Sequence, residues 1–357
     1  MNSPLVRVLI VDDSAVIRTL LRTGLSRHPQ IEVVGVAVDG LDALTKIRGL
    51  RPDVVTLDIE MPRLNGIGVL EHVVGKAPVN FVMVSTLTQA GAQVTFEALG
   101  KGAVDYVTKP QAGDRGSLPE FQEKLLRSVL AAAKARRRVP ARQTGGRAGA
   151  APTLPPNSVR GRVVAIGISC GGPQTLHEVL PAFPSDFVSI VVTQHMPAQF
   201  TGPFAKHLDA VCAMNVREAR HGDALEQGTI LVAPGDRHLR VLRRGVQWVA
   251  TLDDSPPRSG HRPSVDVMFE SVAAACGVRA IGVVMTGMGH DGTDGIVALS
   301  KSGARTLAQD EASSYVYGMP KSAAATGCVE HVVPARQIPI TIARLLKSHR
   351  HPTTQQV

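Results

Sequence analysis

Two hydrophobic periods alternate along this chain, and that alternation limits the folds open to it. Short runs rich in Val, Ile and Leu, bounded by turn formers, exchange with longer segments whose apolar residues recur at helical spacing. In the first third the strand-like runs cover 5–11, 31–37, 54–57, 81–84 and 104–107, and Val16, Leu20, Leu21 and Leu25 carry a helical stripe between the first two. Five β/α units in succession predict a doubly wound, flavodoxin-like parallel sheet with helices on both faces. The last helix is expected over 121–138, its cationic end favoured by the helix dipole.

The pattern breaks at 139–160, PARQTGGRAGAAPTLPPNSVRG, where Pro, Gly, Ala and Ser dominate and no period survives. A structureless loop of this length is uncommon inside a compact domain, so a flexible linker is expected between domains at 1–138 and 161–350. Strand-like runs resume at 163–168, 188–193, 229–232, 239–242, 247–251 and 280–285, with helices expected over 173–180, 264–276, 293–302 and 335–347. This predicts a second doubly wound, mainly parallel α/β domain, with the stretch 229–251 read as antiparallel strands inserted in it. Of 357 residues 44% are hydrophobic but 3% aromatic, with Trp248 the single tryptophan, so the cores are aliphatic, as parallel sheets require.

The net charge of +9 is concentrated near the linker, around Arg136, Arg137, Arg138, Arg142, Arg147 and Arg160. Residues 161–357 carry 18 Lys and Arg against 16 Asp and Glu. A balanced output half without a reading motif argues against nucleic acid as a partner. Cys170, Cys212, Cys276 and Cys328 form no C-x-x-C pair, which argues against zinc and a disulfide framework and fits a reducing compartment. With no apolar run of membrane-spanning length and no signal peptide, a cytoplasmic protein without membrane insertion is expected.

The carboxylates of Asp12, Asp13 and Asp58 follow strand ends that a parallel sheet brings to its C-terminal edge. Three converging carboxylates repel unless a hard divalent cation such as Mg²⁺ joins them. Ser85 and Lys109 follow two further strands and suit the oxygens of a phosphoryl group. The pattern describes an aspartate that accepts a phosphoryl group with metal help. Taken singly, Asp13 and Ser14 equally serve as helix caps and Tyr106 as core. VDDS at 11–14, LDIEMPRLNG at 57–66, MVST at 83–86 and DYVTKP at 105–110 resemble the response-regulator receiver family over about 1–125. The resemblance implies Asp58 as phosphoacceptor and Asp12 and Asp13 as Mg²⁺ holders. It also implies Ser85 and Lys109 as phosphoryl sensors, Tyr106 as a switch aromatic, a cis Lys109–Pro110 peptide and a histidine-kinase phosphodonor.

In the second half a strand runs into Gly167-Ile168-Ser169-Cys170-Gly171-Gly172-Pro173, whose glycines permit a tight strand-to-helix turn. Ser169 there is a candidate nucleophile, or part of a phosphate-binding turn. His195 and Asp291 follow two other strands and can complete a triad as base and orienting acid. Each alone reads equally as a loop histidine and a helix cap. A hydrolase with the order Ser, acid, His would instead need His331. G-I-S-C-G-G-P, T-Q-H-M-P, A-P-G-D-R-H at 233–238, M-T-G-M-G-H-D-G at 285–292 and Y-G-M-P-K at 317–321 resemble the chemotaxis protein-glutamate methylesterase family over roughly 161–347. That likeness implies a Ser169–His195–Asp291 triad with the Met288 backbone N–H as oxyanion donor and no cofactor in this half. The implied reactions are hydrolysis of glutamyl methyl esters and deamidation of glutamines on chemoreceptor helices. It further implies that the unphosphorylated receiver covers the active-site face until Asp58 is phosphorylated. Cys170 departs from the family's usual Thr and leaves open a binding protein that no longer catalyses. His290 occupies a variable slot, and His221, His238 and His261 are expected at the surface or in loops.

Overall fold

The structure is a computed structural model that describes residues 5–86, 88–110, 118–134 and 161–347. The chain divides into two compact units, Met1–Gly145 and Gly146–Val357. The expected linker at 139–160 lies outside the described residues.

In the first unit β1 (Val6–Val11), α1 (Ala15–Leu25), β2 (Ile31–Ala37), α2 (Gly40–Leu50), β3 (Val54–Asp58), α3 (Gly66–Val73), β4 (Asn80–Ser85), α4 (Gln89–Gly100), β5 (Asp105–Thr108) and α5 (Leu118–Lys134) alternate along the chain. The five strands pair in parallel in the order β2-β1-β3-β4-β5, the architecture expected from the sequence. β3 is buried throughout because helices cover both sheet faces. Side-chain caps start the helices: Ser14 for α1, Asp39 for α2, Asn65 for α3 and Thr88 for α4. Along α1 the buried pair is Leu21 and Leu25, while Val16 is 75% exposed, so the apolar stripe is narrower than its sequence suggested.

The second unit contains β6 (Val163–Ile168), α6 (Gly172–Val179), β7 (Ser189–Gln194), α7 (Ala198–Asp209), β8 (Asn215–Glu218), β9 (Thr229–Val232), β10 (His238–Arg244), β11 (Gln247–Asp253), α8 (Val265–Cys276), β12 (Ala280–Val284), α9 (Thr293–Lys301), β13 (Arg305–Gln309), α10 (Met319–Ala325), β14 (His331–Val333) and α11 (Ile338–Lys347). Seven of these strands form one parallel sheet in the order β14-β13-β12-β6-β7-β9-β8. The expectation for 229–251 needs correction: β9 belongs to the parallel sheet, and only β10 and β11 form an antiparallel hairpin. β9 is four buried residues, as an interior strand demands, whereas β10 ends in exposed Leu242, Arg243 and Arg244. α8 is apolar nearly all round because it packs against both the sheet and β10; Val265, Met268, Phe269 and Val272 are buried there. No described helix is long and apolar enough to cross a membrane.

Candidate functional site

In the first unit β1 and β3 are neighbours, so their C-terminal ends deliver Asp12 and Asp58 side by side. Carboxylate oxygens of Asp12, Asp13 and Asp58 lie within 4.8 Å of one another. Asp12 is fully buried and Asp58 nearly so, while Asp13 is exposed. Lys109 Nζ stands 2.9 Å from Asp12 Oδ2 and 2.8 Å from Asp58 Oδ2. Burial pushes the Asp58 carboxyl up to about 6, and the Asp12 charge adds to this against the opposing pull of Lys109. For Lys109 burial pulls downward but the bonds to Asp58 and Asp12 outweigh it, so its ammonium is held above the usual range. The three carboxylates offer hard oxygen donors suited to a divalent cation.

Ser85, on the neighbouring β4, is buried and donates to Gly91 O at 3.3 Å. Tyr106 is buried with its ring edge-on to Phe96 and Lys124 Nζ 4.9 Å from its centroid. The cis bond expected at Lys109–Pro110 is not found; the cis peptide among the described residues joins Arg262 to Pro263. The Lys109 N–H donates to Ser85 O at 2.7 Å, and from that anchor the side chain reaches both carboxylates without a cis bond.

In the second unit β6 lies between β12 and β7, and Ile168 pairs with Gln194. Residues 169 and 195 therefore leave adjacent strands side by side. The turn after β6 is pinned by Ser169 N–H to Thr286 O (2.9 Å) and Gly172 N–H to Ser169 O (2.8 Å). Gly171 has φ +70°, and a Cβ there would strike Tyr315 at 2.4 Å, so this position needs glycine twice over. The Gln194 amide ties the two loops together, donating to Ser169 O and His195 O at 3.0 and 3.1 Å.

His195 Nδ1 is 3.1 Å from Ser169 Oγ, and His195 Nε2 is 2.7 Å from Asp291 Oδ2. A hydroxyl, an imidazole and a carboxylate from three strand ends thus form one hydrogen-bonded chain. Asp291 is 2% exposed and set against the start of α8. Its Oδ1 accepts from Ser264 Oγ (2.8 Å) and Asp266 N–H (3.0 Å), and its Oδ2 also accepts from Val265 N–H (2.8 Å). Burial pushes this carboxyl upward, but the His195 contact and the α8 N–H groups win, holding it well below the usual carboxylate range. Asp291 is no cap for α9, whose N-cap is Gly292 with no side-chain bond; it serves α8 instead.

Met288 follows Gly287, where a Cβ would come within 2.8 Å of Ser169 Cβ. Among the described residues the Met288 N–H makes no hydrogen bond, so it is available beside the nucleophile. Cys170 presents its carbonyl to Thr286 Oγ1 at 2.9 Å.

Two histidines expected at the surface or in loops belong to this neighbourhood. His261 is half-buried with its ring stacked on His195, centroids 3.8 Å apart. His238 is fully buried; its Nδ1 accepts from Ser264 N–H at 3.1 Å and its Nε2 faces Pro256 O at 3.2 Å. His261 is in the loop between β11 and α8, as expected, but His238 on β10 corrects the sequence reading, because a lone histidine carries no local signal of the tertiary partners that bury it. The same holds for Ser264 and Asp266, which the sequence shows only as the start of a helix. His221 is a loop residue as expected, and His290 is exposed. His331, the histidine an order of Ser, acid, His would need, is exposed on β14, at the sheet's far edge.

Comparison with known proteins agrees with both halves. Residues 164–342 match the family model for CheB methylesterase, and residues 8–117 match that for the response regulator receiver domain. A Bordetella bronchiseptica protein-glutamate methylesterase/protein-glutamine glutaminase is 45% identical over 347 residues, covering 97% of this chain and 99% of its own. A Pyrococcus abyssi protein of the same name is 43% identical over 348 residues, 97% of this chain and 95% of its own. The crystal structure of the Thermotoga maritima CheB methylesterase catalytic domain overlays with a TM-score of 0.51 at 37% identity, covering 52% of this chain and all of that one. The chain belongs to the CheB methylesterase family, with a response-regulator receiver domain ahead of the catalytic domain.

Proposed function

We propose that this protein hydrolyses glutamyl methyl esters on the cytoplasmic helices of chemoreceptors and deamidates selected glutamines there, with Ser169 as nucleophile. The observation that carries this reading is the unbroken contact from Ser169 Oγ through His195 to Asp291. Ser169 attacks the side-chain carbonyl while His195 Nδ1 takes its proton. Asp291 orients the ring through Nε2 and stabilises the imidazolium. The Met288 N–H serves as an oxyanion donor, a type of contact worth roughly 3–4 kcal/mol. His195 returns the proton to methanol or ammonia as it leaves, and then activates the water that hydrolyses the glutamyl-serine ester.

In the receiver, Asp58 is the phosphoacceptor, served by a histidine kinase. Asp12 and Asp13 with Asp58 hold Mg²⁺, whose role when bound is to offset charge on the incoming phosphoryl group. Ser85 and Lys109 contact the phosphoryl oxygens and Tyr106 senses the change. Phosphorylation of Asp58 raises esterase activity. The receiver ends by 138 and the catalytic domain spans 161–350, joined by the linker 139–160. A cytoplasmic location fits four cysteines that form no disulfide.

Methanol release from methylated receptor, with and without a small phosphodonor and Mg²⁺, tests this function. Release should rise with the phosphodonor in the full-length protein and not in Asp58→Asn, and residues 155–357 alone should exceed the unphosphorylated full chain. No release under any of these conditions would overturn the esterase assignment. Equal activity of the long and short forms would overturn the inhibition by the receiver.

A further inference from the structure

One buried ionisable group beside the triad takes no part in the steps above. Asp266, the second residue of α8, is 1% exposed. Its N–H donates to Asp291 Oδ1 at 3.0 Å, and its own Oδ1 accepts from Gly295 N–H in the first turn of α9 at 2.8 Å. Two buried carboxyl groups therefore stand where α8 and α9 begin, Asp291 taking N–H groups of α8 and Asp266 one of α9.

Resting on the esterase reading, we propose that Asp266 is a positioning residue that acts on His195 through Asp291. The two carboxyls hold a single negative charge between them, and the proton that keeps it single resides on Asp266. Neighbouring carboxyls in a dry site, here joined through the Asp266 N–H, do not both ionise freely. The donor sets decide which keeps the charge. Asp291 has the His195 ring, the Ser264 hydroxyl and two helix N–H groups, whereas the hydrogen bond Asp266 accepts is from Gly295. In keeping with this, burial first and then the Asp291 charge raise Asp266 to about 7.

The surrounding charges do not change that assignment. Arg258 pulls Asp266 the other way but is already engaged by Glu270, one turn further along α8, and by Asp294 on α9. His238 meets the pair only through the Ser264 backbone, and His261 packs against the ring of His195.

The consequence is a pH effect with a defined sign. While Asp266 is protonated, one negative charge stands behind the imidazole. Once it ionises, a second charge favours the imidazolium, in which Nδ1 can no longer take the serine proton. An amide at 266 stays neutral at every pH and can still meet Gly295 N–H. In Asp266→Asn the acid limb of kcat/KM should therefore move to lower pH, by about one unit for a strongly interacting pair. A purely structural role would lower the plateau or the Tm and leave the limb in place.

The test combines pH–rate profiles of phosphodonor-activated full-length wild type and Asp266→Asn with infrared titration of both. The wild type should show a protonated-carboxyl band lost as pH rises through about 7; the band should be missing from Asp266→Asn and kept in Asp58→Asn. An unmoved acid limb, or no such band in the wild type, overturns the proposal. Should Asp266→Asn fail to fold, Asp291→Asn serves: without the neighbouring charge the Asp266 band should disappear at lower pH, and an unmoved band overturns the proposal. Wild type that releases no methanol would instead sink the esterase reading, and the infrared result would stand apart from it.

Discussion

The imidazole of His261 lies face to face with that of His195, with ring planes 24° from parallel. The ring shields one face of the base from water and fixes its plane while Nδ1 points at Ser169. A stacked aromatic pair is worth about 0.5–1.5 kcal/mol, so His261→Ala should lower kcat/KM for ester hydrolysis about 2–12-fold, and His261→Phe should restore most of it. Steady-state methanol release checks this, and equal losses in the two variants would argue against stacking as the cause.

Asp58 titrates near 6 because it is buried beside Asp12. The carboxylate is the form that attacks phosphorus and the form that Mg²⁺ favours, so phosphorylation by a small phosphodonor should fall in acid, and at lower pH the more Mg²⁺ is present. Mass spectrometry of the intact protein reads the aspartyl phosphate. The same shift has a stability sign. A carboxyl raised in the folded state favours folding while protonated, and that contribution is lost as pH rises through about 6. Asp58→Asn should therefore stabilise the receiver at about pH 8, on the order of 1–3 kcal/mol, and do little at about pH 4. Thermal melts at the two pH values decide it.

Carboxylate oxygens of Asp12, Asp13 and Asp58 cluster within 4.8 Å, so a bound divalent cation should relieve their repulsion. Mg²⁺ at a hundred times its Kd should stabilise the receiver by about 2.7 kcal/mol. EDTA should reverse the gain, and Asp12→Asn or Asp13→Asn should weaken it. A melt indifferent to Mg²⁺ would count against these three residues as its ligands.

Gly287 sits where a Cβ would meet Met319 Sδ at 2.3 Å and Ser169 Cβ at 2.8 Å. Gly287→Ala must displace the nucleophile or the Met288 N–H beside it. A misplacement near 1 Å can cost about 100-fold, so kcat should fall by at least tenfold in a protein that still melts cooperatively. Labelling of Ser169 by a fluorophosphonate should slow in parallel.

Much of this was legible in the sequence for a physical reason. Parallel strands buried on both faces announce themselves as short aliphatic runs, and their C-terminal ends are where Asp12, Asp58, Ser169 and His195 stand. The elements that escaped notice lack that signal. β13 (RTLAQ) alternates with polar residues, β14 has three residues at the sheet edge, β8 (NVRE) is an edge strand with Val216 its one buried residue, and α7 contains Pro203. The orientation of β9 could not be read from composition, because pairing direction depends on which neighbour it meets. The support behind Asp291 was illegible for the same reason. His238, Ser264 and Asp266 matter through contacts 25 to 27 residues apart in sequence, which no local motif encodes.

The account stands on Ser169 as the attacking group. Methanol release from methylated receptor by full-length Ser169→Ala, with its Asp58 phosphorylation verified in the same sample, tests that most directly. The variant should accept the phosphoryl group and release no methanol above the uncatalysed rate. Release at the wild-type rate by the phosphorylated variant would contradict the account.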